Sequence, residues 1–413
     1  MTALARSLRP CGPIVDAAAA ERALAAISER AENPGPVAAA WEALAPIFAA
    51  SPYLARLAAR RADVLAAMLG EDPAASLEAL ITAAERTPAA GLEDGPAELR
   101  RLKGQLHLLT ALCDLGGVWD LEAVTGALTE FADAALSAAI ALAALEQIDA
   151  GRMLAAPPGP AGPLPGLFVI AMGKLGAFEL NYSSDIDISV FYEPDALPVA
   201  EGVEPRAFAV RFTQSLATLL QDQTGDGYVF RVDLRLRPDP ASTPPAVPVD
   251  EAMEYYESVG QNWERADFIK ARVAGGDIPR GEAFLSELQP FIWRRNLDFA
   301  AISDIHSIKR QIQALKGDER VAARGADLKL GAGGIREIEF FVQTQQLILG
   351  GRHPDLRDNT TLGALAGLAA AGHVSSAAAA DLAHAYKDLR ALEHRVQMIA
   401  DEQTHRLPAD EKD

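Results

Sequence analysis

Residues 167–192 read LFVIAMGKLGAFELNYSSDIDISVFY, and this stretch decides the fold. It opens on a short apolar run, 167–172, of the length and composition of a buried strand. Residues 173–184 are polar and turn-rich. DIDISVFY, 185–192, alternates and then turns apolar, which predicts a second strand. Further along, Phe208, Phe212, Leu216 and Leu219 recur at helical spacing over 205–222. Gly225-Asp226-Gly227 marks a turn, and YVFRVDLRLR, 228–237, alternates with a period of two until Pro238 ends it. Strand, loop, strand, helix, strand describes a small α/β unit.

Helices are expected on both sides of this unit. The first 150 residues hold 43 alanines, which favour helix. Leu54, Leu57, Leu65 and Met68 share one face of a segment starting near Pro52, and breaks recur at 33–36, 71–73 and 91–96. Residues 123–149 read as one long apolar helix or a helix pair. AAPPGPAGPLPG, 155–166, is a proline-rich linker that neither a helix nor a central strand accepts. Beyond Pro244 the pattern is mostly helical, through 250–259, 261–271, 281–300, 303–316 and 335–349. A last helix spans about 379–402, with Ala385, Leu389, Leu392, Val396 and Ile399 as its apolar seam. The expected class is therefore α+β, mostly helical.

The formal net charge is −19, which argues against nucleic-acid binding through a broad basic face. Cys11 and Cys113 are the only cysteines, too few for a disulfide framework or a cysteine zinc site. No uninterrupted apolar stretch of about 18 residues is seen, so no membrane span is expected. The N-terminus lacks the features of a signal peptide.

The strongest chemical signal is Asp185-Ile186-Asp187 at the start of a strand. Alternate strand residues point the same way, so both carboxylates face one ligand while Ile186 and Ile188 face the core. Two such carboxylates repel unless a cation or proton lies between them, and a hard divalent cation meets that need. Asp233 lies 46 residues beyond Asp187 on another strand and would complete a two-metal cradle for nucleotidyl transfer. Arg231, Arg235 and Arg237 share its face by parity. Gly173, Lys174 and Gly176 form a loop able to bring backbone N–H groups, and a lysine charge, to phosphate oxygens. No Walker loop, dinucleotide fingerprint or H-E-x-x-H motif occurs, and the seven histidines show no zinc spacing. His306, followed by Lys309 and Arg310, is the most conspicuous of them.

Residues 173–192 resemble the nucleotidyltransferase signature of bacterial glutamine synthetase adenylyltransferase/adenylyl-removing enzymes. The resemblance continues through DGYVFRVDLRLRPD (226–239), YYESVGQNWERADFIKAR (255–272) and FIWRRNLDFAAISDIHSIKRQI (291–312). It runs on through LKLGAGGIREIEFFVQTQQLILGGRHP (328–354) and ALEHRVQMIADEQTHRLPAD (391–410). That family joins two similar nucleotidyltransferase-like domains. ELN-x-SSDID followed by DEQTHRLP resembles its N-terminal, adenylyl-removing half, so the text reads as the first of two halves.

The resemblance implies a DNA polymerase beta-like nucleotidyltransferase core with flanking helical domains. The expected parts are a helical region over 1–154, a catalytic core over 165–345 with a helical insertion around 245–320, and a helical bundle over 346–413. It implies catalytic and metal-ligating roles for Asp185, Asp187 and Asp233, with Mg²⁺ or Mn²⁺ as cofactor. Phosphate or nucleotide would meet Gly173, Lys174, Gly176, Ser184, Arg235 and Arg237, supported by Arg336, Glu337 and Glu339. Where the family commonly has Gly-Gly, this chain has Gly176-Ala177, so residue 177 must keep a negative φ. The implied reaction is phosphorolysis of adenylyl-tyrosine on glutamine synthetase, releasing ADP, in the cytoplasm. The implied partners are glutamine synthetase and a PII signalling protein, with phosphate, ADP, ATP and glutamine as small ligands or effectors. The alternatives are ATP-dependent adenylylation by this same domain, or a regulatory module that binds glutamine synthetase or PII without catalysis.

Overall fold

The computed structural model describes residues 2–155, 164–295 and 324–409. Most of the linker, the segment 303–316 and His306 lie outside them.

Five strands form one small mixed sheet: β1 (Leu167–Ala171), β2 (Asp185–Tyr192), β3 (Arg231–Asp233), β4 (Ala246–Pro248) and β5 (Arg272–Gly276). β1 is antiparallel to both β2 and β5. β3 and β4 run parallel to successive stretches of β2, and Asp187 pairs in register with Asp233. The run 167–172 is apolar throughout because both sheet faces are covered. Leu167, Val169 and Ala171 join a core with the N-terminal helices. Phe168, Ile170 and Met172 join another with Tyr256, Phe268 and Phe284. Ile186, Ile188 and Val190 of β2 fall in the first core, which turns Asp185 and Asp187 the other way.

The helix Leu121–Asp149 is continuous, and Asp120 caps it by accepting from the Ala123 N–H (2.9 Å). By length and composition it could cross a membrane. Yet 72% of its most apolar window is buried in the fold, against the helices Pro73–Arg86, Gly91–Leu115 and Pro205–Gln221 and against β5. Gly275 is small for the same reason: a Cβ there would meet Ile140 at 2.5 Å. The apolar length serves packing.

Several sequence expectations need correction. The segment from Pro52 is two helices, Pro52–Arg60 and Ala62–Gly70, broken at Arg61. The break expected over 91–96 sits earlier, at the turn Thr87–Ala90, and Pro96 lies inside the helix Gly91–Leu115. The strand expected over 228–237 shrinks to Arg231–Asp233. Arg237 folds back and donates to the carbonyls of Leu234 (2.7 Å), Pro240 (2.9 Å) and Thr243 (2.8 Å), closing a loop where a ladder would run. β4 and β5 were not expected, since proline and paired glycines mask strand character. Helical pattern over 281–300 resolves, as far as residue 295, into Ile278–Glu287 and Gln289–Ile292. The expected apolar seam of the last helix, Ser376–Ala400, is buried at Val396, half-buried at Leu389, Leu392 and Ile399 and exposed at Ala385. Its fully buried stripe is instead Tyr386, Arg390, Glu393 and Gln397, at the same four-three-four spacing.

Gly176 fixes how closely the loop after β1 approaches its neighbours. An added Cβ would fall 2.0 Å from the Lys270 carbonyl oxygen and 2.7 Å from that of Ala171. Backbone cannot yield as a side-chain tip can. We expect Gly176→Ala to destabilise the chain by about 2 kcal/mol or more in urea unfolding; an unchanged midpoint would contradict this packing.

Candidate metal centre

The parallel pairing of β2 with β3 assembles the acidic cluster. One carboxylate oxygen each from Asp185, Asp187 and Asp233 lies within 4.8 Å of the others, and all three residues are half-buried. Gly173 presses on this group. Its φ is +54°, and a Cβ on it would sit 2.4 Å from Asp187 Oδ2. Only glycine combines that backbone with that contact.

The three carboxyls are held differently. Gln403 Nε2 donates to Asp185 Oδ1 (2.8 Å), and the Ser184 hydroxyl stands 3.5 Å from the same oxygen. Burial, then the charges of Asp185 and Asp233, push the Asp187 carboxyl up to about 7; the charge of Asp267 adds to this and Lys329 opposes it. Burial works against the charge on Asp233 too. Hydrogen bonds from the Arg235 side chain (2.9 and 3.0 Å) and backbone (2.8 Å) outweigh it and hold Asp233 below the usual range. Three converging carboxylates with a proton retained near neutrality are a donor set suited to a hard divalent cation.

The remaining expected residues divide into two groups. Arg235 reaches the cluster and stays largely exposed. Ala177 keeps φ −81° beside Gly176, as the substituted motif requires. Lys174, however, turns its ammonium onto Glu393 (3.1 Å), and Arg237 is spent on loop carbonyls. Glu339 is buried and takes an ion pair from Lys270 (3.2 Å); Glu337 accepts from the Gly333 N–H (3.1 Å). The two glutamates thus face different ways, as their spacing dictates. Arg336 is exposed, and its charge is felt by Asp267.

Beneath the acidic cluster lies a second charge group that the sequence reading missed. Lys270 bridges Glu179 and Glu339, both at 3.2 Å. Arg390 donates to Asn181 Oδ1 (2.6 and 3.0 Å) and to the Tyr386 hydroxyl (2.6 Å), and lies 3.6 Å from Glu393. With the Lys174–Glu393 pair, three cations and three anions gather, all buried except the half-buried Lys174. Burial opposes the charges on Glu339 and Glu393. Lys270 for the first and Lys174 for the second prevail, and both carboxyls fall to about 2. Gln397 Oε1 accepts from the Ser183 N–H (3.0 Å). The last helix therefore grips residues 174–183, the loop that delivers Asp185. The available signal was polar spacing at 386, 390, 393 and 397.

Two predictions follow from these charges. Asp187 binds its proton more tightly folded than unfolded, so its contribution favours folding at low pH and is lost as pH rises through about 7. In metal-free protein, Asp187→Asn should raise the thermal midpoint at pH 8 by a few degrees, an effect of roughly 2 kcal/mol that shrinks toward pH 5. Mg²⁺ or Mn²⁺ should raise the wild-type midpoint at pH 8, less so below pH 7, and leave Asp187→Asn unmoved. Second, Arg390→Met removes one charge of a balanced buried six and should cost about 3–5 kcal/mol. Arg390→Lys should recover only part of it, because the bidentate contact is lost. Chemical denaturation measures both.

A model of the glutamate-ammonia ligase adenylyltransferase family matches residues 41–287, and one of PII-uridylyltransferases matches residues 306–413. The chain is 66% identical over 410 residues to the bifunctional glutamine synthetase adenylyltransferase/adenylyl-removing enzyme of Caulobacter vibrioides, covering 99% of this chain and 42% of that protein. It is 53% identical over 368 residues to the enzyme of the same description from Bradyrhizobium sp. strain ORS 278, covering 88% and 37%. For Rhodopseudomonas palustris strain TIE-1 the figures are 54% over 370 residues, covering 89% and 37%. The chain thus spans about two fifths of the length of these relatives. With more than half of its residues matched by the first model, the chain belongs to the glutamate-ammonia ligase adenylyltransferase family.

Proposed function

We propose that this chain is a metal-dependent nucleotidyltransferase that removes AMP from an adenylylated tyrosine of glutamine synthetase by phosphorolysis. The observation that carries the reading is the convergence of Asp185, Asp187 and Asp233 within 4.8 Å on adjacent parallel strands. The similarity to bifunctional adenylyltransferase/adenylyl-removing enzymes supports the substrate. Removal rather than attachment of AMP rests on the ELN-x-SSDID and DEQTHRLP forms.

Asp185, Asp187 and Asp233 would hold Mg²⁺ or Mn²⁺. Bound there, the cation supplies Lewis-acid stabilisation of charge on the adenylyl phosphorus oxygens and on the departing tyrosyl oxygen. The chain's own residues do the rest. Gly173 lets the loop backbone stand against Asp187, keeping space for a phosphate oxygen. Arg235 offers an exposed guanidinium beside the cluster, and Lys329, whose charge already reaches Asp187, offers a second cation. We assign Lys329 the phosphate-facing role first expected of Lys174. In the reaction a phosphate oxygen attacks the adenylyl phosphorus. A P–O–P bond forms, the P–O bond to tyrosine breaks, and a proton returns to the tyrosyl oxygen. ADP and an unmodified tyrosine side chain on glutamine synthetase result. Glutamine synthetase and a PII protein are the proposed partners, the second supported by the match to PII-uridylyltransferases over 306–413.

The test is to incubate the chain with adenylylated glutamine synthetase, Mg²⁺ and phosphate, and identify the nucleotide released. ADP appearing only with phosphate is expected, and Asp187→Asn should lower its rate at least about a thousandfold. Lys329→Ala should raise the apparent KM for phosphate. AMP as product would indicate hydrolysis. Incorporation of labelled AMP from ATP would reverse the assigned direction.

A further inference from the structure

Each carboxylate of the acidic cluster is restrained by a different part of the chain. Gly173 presses on Asp187, and Arg235 clamps Asp233. Asp185 is the first residue of β2, where the sheet has only begun. Its carboxylate is met by Ser184 next to it, at 3.5 Å, and by Gln403, 218 residues further along the chain, at 2.8 Å. Both contacts fall on Oδ1. The shorter one comes from an exposed residue just past the end of the last helix.

That residue is not on a loose tail. The helix stops at Asp401, which takes a left-handed backbone (φ +57°, ψ +46°) and donates its N–H to the Gln397 carbonyl (3.0 Å). Asp401 Oδ1 accepts from the Ser183 hydroxyl (2.8 Å), and Oδ2 from the Tyr228 hydroxyl (3.1 Å). Arg231 ties the same groups together, donating to the Tyr228 hydroxyl (2.6 Å) and to the Ser183 carbonyl (2.6 Å). Ser183 precedes Asp185 by two residues, and Arg231 is the register partner of Asp185 in β3. The turn is therefore fastened to backbone on both sides of the carboxylate that Gln403 meets. Past Gln403 the chain is fastened again. Gln397 Nε2 donates to the Thr404 carbonyl (3.3 Å), and the His405 carbonyl accepts from the Leu328 N–H (2.8 Å). Leu328 precedes Lys329, so the same strap sets the backbone beside the cation whose charge reaches Asp187.

We propose that Gln403 is a positioning residue of the metal centre: its carboxamide holds Asp185 by Oδ1 and leaves Oδ2 for the cation. A neutral donor suits this task better than a charged one. Counting only groups in contact, three carboxylates and Arg235 leave two negative charges for a divalent cation. A cation at 403 would leave one, and would compete with the metal for the same carboxylate. An amide fixes the orientation and keeps the charge, as groups behind metal ligands commonly do. The inference rests on the reading of the three aspartates as a metal centre and adds a residue to it from the far end of the chain.

The test measures Mn²⁺ binding to the whole chain by electron paramagnetic resonance, without substrate, for wild type, Asp187→Asn, Gln403→Ala and Gln403→Lys. Wild type should bind and Asp187→Asn should not. Gln403→Ala should bind at least about tenfold more weakly, and Gln403→Lys no better than Gln403→Ala. In EDTA the thermal midpoint of Gln403→Ala should stay within about 2 °C of wild type, because the residue is exposed. Gln403→Asn, one methylene too short to reach, should behave as Gln403→Ala. Failure of wild type to bind Mn²⁺ would end the metal reading and this inference with it. If wild type binds, Asp187→Asn does not, and Gln403→Ala matches wild type, the metal reading stands and the role of Gln403 is overturned. A lowered midpoint in EDTA with unchanged Mn²⁺ affinity would overturn it too, and make the contact one of folding alone.

Discussion

Asp187 faces Asp233 across two parallel strands, with Asp185 two residues away on the same side, and the like charges push apart. Side-chain rotation alone would relieve that repulsion at small cost, so the geometry has to be enforced by backbone. β1 and β5 hold β2 in the sheet. Gly173 blocks retreat of Asp187 on one side, and Arg235 restrains Asp233. The loop 174–183 is then anchored by Glu179, Asn181 and Ser183 to the last helix and its neighbours. Each restraint is explained by the need to keep three anions converging on one point.

The anchoring is polar where an apolar seam would be the simpler solution. A leucine face against residues 174–183 would leave their backbone groups unpaired in a dry site, at about 1–3 kcal/mol each. Arg390 and Gln397 satisfy them, through the Glu179 carbonyl and the Ser183 N–H. Arg390 then needs an anion, Glu393 needs Lys174, and Glu339 and Glu179 need Lys270. The cluster closes at zero net charge, which is why it can be buried at all. Lys174 is consumed in this closure, and that leaves the positive charge near Asp187 to Lys329.

These facts separate what the sequence made legible from what it hid. DIDISVFY announced its strand and the pairing of acids on one side, because a period of two needs only neighbouring residues. Asp233 was legible for the same reason, although its strand is three residues long. The extent of that strand was hidden, because Arg237 chooses carbonyls contributed by residues up to 243. β5 was hidden because Gly275 and Gly276 answer to Ile140 and Leu167, far away in the chain. The buried stripe of the last helix was hidden by hydropathy itself: its residues share the spacing of a core face and have the chemistry of a surface. Spacing identifies which residues travel together. Only tertiary contact shows which of two such stripes is inside.

Charge in this molecule is therefore sorted by what each group touches, and the net value of −19 describes none of the local settings. The six-membered cluster is dry and neutral, and it acts as structure. The aspartate cluster is half-buried and, even with Arg235 on Asp233, keeps an excess of negative charge, and it calls for a cation. Such unbalanced charge costs folding energy that a purely structural design would avoid by neutralising it, as the six-membered cluster does a short distance along the chain.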